Sequence, residues 1–128
     1  MNRELKFRVW NPEQNKMEYF ELHNITVPER LLTQENYPVQ QFTGQIDKNG
    51  KEIYCGDLVK VASEKYPKEN YIAEIRFDIS WGVVLFVDRG DIRGGLEGED
   101  MEVIGNVTEN PDVKPKVLYN ETRTKSEL

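Results

Sequence analysis

Short apolar–polar alternations, broken every few residues by turn chemistry, are the feature that most limits what this chain can fold into. Leu5, Phe7 and Val9 alternate with Lys6, Arg8 and Trp10, the period-two pattern of a strand with one covered face. Asn11-Pro12-Glu13-Gln14-Asn15 supplies turn residues, and extended chain resumes from Lys16 to Leu22, so the first segment predicts a hairpin. Thr26 to Pro38 carries a proline near each end and predicts a loop with room for one turn of helix. Strands then recur: Val39 to Thr43, stopped by Gly44; Leu58 to Val61; Tyr71 to Asp78; Val83 to Val87; and Met101 to Val107. In the third of these, Tyr71, Ala73, Ile75 and Phe77 share one face and Ile72, Glu74 and Arg76 the other. The β-branched run Val83 to Val87 predicts a strand covered on both faces. No stretch sustains a helical period. Short strands at this spacing predict an all-β domain, a small barrel or a sandwich.

Turn signals set the connections. Asp47-Lys48-Asn49-Gly50 ends in Asn-Gly, which tolerates positive φ and predicts a hairpin. Ser63 to Asn70 is polar around Pro67 and predicts a loop; Asp88 to Asp100, with four glycines, predicts a flexible loop or wide hairpin connection. One domain is expected over residues 1–112, divided into an N-terminal β segment (1–43) and a barrel core (44–112). A flexible tail is expected over 113–128.

At 128 residues the chain is long enough for an ordinary core. Its longest apolar run stops at Asp88, far short of the roughly 20 residues of a spanning helix, so no membrane partner is expected. Cys55 is the single cysteine, which excludes an internal disulfide and, with no apolar signal segment after Met1, predicts a reducing, cytoplasmic setting. Lys and Arg number 17 against 23 Asp and Glu, a net charge of −6 that weighs against holding duplex phosphates.

Three blocks carry a family resemblance. They are Arg3-Glu4-Leu5-Lys6-Phe7-Arg8-Val9-Trp10; Gln41-Phe42-Thr43-Gly44 through Asp47-Lys48-Asn49-Gly50-Lys51-Glu52-Ile53-Tyr54 to Gly56-Asp57-Leu58-Val59; and Glu102-Val103-Ile104-Gly105-Asn106 with Glu109-Asn110-Pro111. In this order they resemble the YopX family, small proteins encoded mainly by bacteriophages and prophages. The resemblance implies an SH3-type barrel preceded by an additional N-terminal β-hairpin or extended segment. It also implies self-association as a homo-oligomer, and it carries no catalytic site. The chain departs from the family at Cys55, where an acidic residue is usual, and at Gln45-Ile46, where Leu-Lys is common.

Candidate residues divide by chemistry. Gly44, Asn49, Gly50, Gly56 and Asp57 read as structural: glycines that permit kinks, and an Asp that accepts bonds from nearby backbone N–H groups. Asp47-Lys48-Asn49-Gly50 lacks the spacing and the closing Glu of a calcium loop. His23 is the single histidine and lacks zinc-site partners; Cys55 lies in an apolar stretch and predicts a buried or half-buried thiol. No catalytic residue, metal or cofactor is expected. Among the aromatics, Tyr66, Tyr71 and Trp81 are candidates for a binding groove, and core filling is the weightier reading of such rings. Glu97, Glu99 and Asp100 give an acidic loop.

The expected function is therefore a non-enzymatic binding module, contacting an unknown host or phage protein through an aromatic and acidic surface. The alternative is a nucleic-acid accessory factor that uses a basic face of Arg3, Lys6 and Arg8.

Overall fold

The computed structural model describes residues 5–62, 70–78, 82–87, 90–92 and 98–118. The predicted N-terminal hairpin forms from β1 (Lys6–Asn11) and β2 (Lys16–Glu21), with Phe7 opposite Phe20 and Trp10 opposite Met17. Asn11 Oδ1 accepts the N–H groups of Glu13 and Gln14, and Asn15 takes a φ of 54°, so a side-chain turn and a left-handed residue close the connection. The proline-bounded stretch supplies one helical turn, α1 (Glu29–Leu32), whose Leu31 packs with Val9 and Phe20 into a small core.

β3 (Gln40–Ile46) and β4 (Glu52–Tyr54) complete a four-stranded antiparallel sheet in the order β2-β1-β3-β4. β3 does not stop at Gly44. The residue adopts a φ of 90°, and the register against β4 shifts between Phe42 and Ile46, so an irregularity absorbs the kink and the strand continues. The expected division at residues 43 and 44 thus falls inside one strand.

The second sheet holds β5 (Asp57–Ala62), β6 (Asn70–Asp78), β7 (Gly82–Val87), β8 (Gly90–Ile92) and β9 (Met101–Asn106), in the order β8-β7-β6-β5-β9. A 3₁₀ turn (Gly98–Asp100) leads into β9. β10 (Lys116–Leu118) pairs with the start of β6, Lys116 opposite Ile72 and Leu118 opposite Asn70. Within the segment expected to be a flexible tail from residue 113, Lys116–Leu118 thus forms a strand held by a backbone ladder to β6. Residues 119–128 lie outside the described ones.

β6 curls the sheet: Asn70 to Glu74 pair with β5, and Glu74 to Asp78 pair with β7. Ile53, Val59, Val61, Tyr71, Ala73, Ile75, Leu85, Val87 and Met101 fill its concave side, with Cys55, Val83 and Val103 packed against them. Ile53 comes from β4, so the first sheet contributes a side chain to this core. Burying each large apolar side chain contributes roughly 1.5–3 kcal/mol, which makes this cluster the main stabilising element and the Val9–Phe20–Leu31 cluster a satellite. The fold is mainly β, a curled half-barrel sheet joined to a second sheet. The alternation expected along β6 holds for Tyr71, Ala73 and Ile75 and fails at Phe77, which is exposed.

Candidate functional site

A buried polar cluster sits where the two sheets meet. Arg8, from β1, donates through Nη2 to Asp57 Oδ1 at 2.7 Å and through Nε to Gln40 Oε1 at 2.6 Å. Asp57 Oδ2 accepts the backbone N–H of Tyr54 at 2.7 Å, so both carboxylate oxygens are engaged. The Arg8 guanidinium lies over the Tyr54 ring, 4.8 Å from its centroid. Gly56 completes the arrangement with a φ of 93°, and a Cβ there would fall 2.2 Å from Gln40 Nε2. Glycine is therefore required twice over, by dihedral and by space.

Burial raises the Asp57 carboxyl above its ordinary value, against the pull of Arg8 and the Tyr54 N–H. The neighbouring Cys55 thiol is pushed up to about 12 by burial and then by the Asp57 charge. Tyr54 rises to about 12 for the same first reason, with the Glu52 charge second. These are groups held in their places in the fold. Gly56 and Asp57 lie at this junction, and the partners Arg8 and Gln40 went unforeseen, since nothing in local spacing pairs residues so far apart.

A second junction lies at the β3–β4 turn. Asp47 Oδ1 accepts the N–H groups of Asn49 and Lys51, and its Oδ2 accepts that of Val103 on β9. Gly50 takes a φ of 83°, as the Asn-Gly signal predicted. Lys48 N–H donates to the Met101 carbonyl, which docks the turn onto the second sheet. Burial works to raise the Asp47 carboxyl, but the three backbone donors and the Lys51 charge outweigh it and hold the group below its ordinary 3.8. At the far end of β9, Asn106 Oδ1 accepts from Thr108 and Glu109, while Asn110 Oδ1 accepts from Asn106 N–H. A Cβ on Gly105 would meet that Asn110 oxygen at 2.4 Å.

Beside the β3–β4 turn opens a depression of about 710 Å³, lined by Gln45, Ile46, Asp47, Lys48, Gly98 and Glu99. Ile46 is 55% exposed, and Glu99 is exposed on the facing 3₁₀ turn. Gly98 allows that turn to approach, because a Cβ would lie 2.0 Å from the Ile46 carbonyl oxygen. Lys48 Nζ sits 3.9 Å from Glu102.

The sequence candidates scatter. Tyr66, Trp81, Glu97 and Arg3 lie outside the described residues. Tyr71 is 5% exposed in the main core, which removes it from any surface groove; the inward face of β6 claims its ring. Glu99 borders the depression and Asp100 is half-buried next to it, so part of the acidic loop is brought to one place. Of the two described members of the basic face, Arg8 is buried against Asp57 and Lys6 is ion-paired with Glu52 at 2.5 Å. Ile46 was passed over because the strand was expected to stop at Gly44, which left Gln45-Ile46 in a turn beyond it. His23 is exposed beside Glu21. Among the described residues, no three His, Cys, Asp or Glu side chains gather in a metal-binding arrangement, and no helix is long and apolar enough to cross a membrane.

The family model described as YopX protein matches residues 6–113. Among solved structures, the chain is similar to protein EF1440 from Enterococcus faecalis, at 23% identity and a TM-score of 0.52, covering 84% of this chain and 96% of that one. That likeness speaks to the fold. No curated protein matches the chain.

Proposed function

The chain belongs to the YopX family, and from that premise we propose that it is a non-enzymatic, phage- or prophage-derived binding module that engages a protein partner in the cytoplasm through the depression beside Ile46. The observation that carries this reading is the exposed Ile46 set against Glu99: an apolar residue open to solvent, rimmed by a free carboxylate, on a chain of net charge −6. Apolar contact at the centre of a patch with a charged rim is the usual anatomy of a protein interface. Charge of this sign favours a partner segment carrying a basic residue beside an apolar one.

The polar motif residues support the non-enzymatic part. Arg8, Gln40, Asp47, Asp57, Asn106 and Asn110 commit their hydrogen bonds to joining strands and turns. A catalytic acid or base needs an atom facing substrate.

The test is capture from bacterial host lysate on tagged protein, run with and without nuclease. Retention of the same protein in both arms supports the reading. Loss of all retained protein with nuclease would mean that nucleic acid was the tether, and would overturn it.

A further inference from the structure

We propose that the N-terminal unit, residues 5–34, is a strap that opens as one body while the barrel stays folded, with the Arg8–Asp57 ion pair as its latch. This goes beyond the binding reading and does not rest on the Ile46 depression.

The division shows first in the packing. Val9, Phe20 and Leu31, with Phe7, Val27 and Leu32 against them, form a cluster made wholly within the unit, separate from the main core. Its link to the rest is short. Between β1 and β3 the ladder pairs Phe7 with Gln41 and Arg8 with Gln40, whereas β1 and β2 pair along their whole length. Further ties gather on the same seam: Arg8 to Gln40 and over the Tyr54 ring, Lys6 to Glu52 and over the Phe42 ring, and the Tyr19 ring edge-on to Tyr54 at 5.5 Å. Glu35-Asn36-Tyr37-Pro38-Val39 connects the unit to β3 outside any helix or strand, which places a hinge there.

Energetics favour opening at this seam over unfolding of the whole. Releasing the strap separates few apolar groups, because its own cluster does not interleave with the barrel core. The latch itself yields readily: opening returns both buried charges to water, and that hydration offsets most of the lost attraction. Elements with little apolar burial against their neighbours open at a fraction of the global free energy. A freed hairpin is marginal on its own, so its amides become exchangeable once it leaves. The opened state bares the Asp57 carboxylate and the β3 edge at Gln40 and Gln41, which the strap covers in the closed form.

Native-state hydrogen exchange on the full chain, read by mass spectrometry or NMR across low guanidinium concentrations, tests this. β1 amides should exchange at least tenfold faster than those of β5, with little denaturant dependence, and the two sets should merge only near global unfolding. Arg8→Lys, which keeps the charge and loses the fork, weakens the closed state alone and should speed β1 several-fold, with β5 moving by the same factor because both sets open from that closed state. β1 and β5 amides following one common exchange curve in the wild-type protein would overturn the proposal, as would β1 amides left unmoved in the variant.

Discussion

Arg8 and Asp57, 49 residues apart in sequence, meet at 2.7 Å with 5% and 2% of their side chains exposed, and so join the N-terminal hairpin to the first strand of the barrel. A buried pair of this kind is costly to break and cheap to replace. Removing one partner leaves an uncompensated buried charge, about 3–5 kcal/mol of destabilisation, while an apolar pair of similar volume comes close to neutral. Arg8→Met and Asp57→Leu should each lower the denaturant midpoint sharply, and the double variant should recover most of the loss. Additive losses in the double variant would refute the pairing as the source of the effect.

Two glycines separate dihedral strain from steric exclusion. Gly50 and Gly56 both have positive φ, but a Cβ on Gly50 meets open space and one on Gly56 strikes Gln40. Gly50→Ala should cost about 1 kcal/mol, from the left-handed backbone alone. Gly56→Ala should cost more, about 2–4 kcal/mol, because Gln40 must also leave its bond to Arg8. Thermal melts of the two variants give the comparison; equal losses would mean that Gln40 moves aside freely.

Asp47 sets an acid limb to the stability curve. Its folded carboxyl lies below 3.8, so the unfolded chain takes up the proton more readily than the folded one. Stability from this group is complete above 3.8 and is lost as pH falls through the folded value. Asp47→Asn should lose roughly 1–3 kcal/mol at pH 7, and its curve should approach the wild type as pH falls below the ordinary 3.8 and through the folded value. A constant gap between the two curves down to pH 2 would show that the carboxylate charge contributes nothing.

Cys55 should resist thiol reagents in the folded state. With its thiol pushed up to about 12, almost none is ionised at pH 8, and the thiolate is the reactive species. Modification should be slow in buffer and accelerate more than 100-fold in denaturant. Fast reaction in the native protein would place the sulfur in a more polar setting than the core edge beside Ile53 and Asp57.

The fold class was legible in the sequence because period-two alternation and Asn-Gly chemistry are local: the β1–β2 hairpin, the turn at Gly50 and the inward face of β6 follow from neighbours in the chain. What joins the elements was not. Arg8 read as a surface cation on an alternating strand, and only Asp57, brought beside it by the fold, turns it into a buried one. Gly44 read as a strand end, where the paired strand absorbs its kink. β10 is recruited by the ladder of β6, with no apolar alternation of its own to signal it. The depression arises from Ile46 on one turn and Glu99 on another, a meeting that depends on Gly98 lacking a side chain.

The most direct measurement is quantitative mass spectrometry of proteins captured from nuclease-treated host lysate by the wild type and by the Ile46→Lys/Glu99→Lys variant. Both substitutions sit at exposed positions, so the variant should melt within a few degrees of the wild type. The predicted result is a protein retained by the wild type and lost, at least tenfold, by the variant. Equal retention by both proteins, with the melts matched, would contradict binding through this depression.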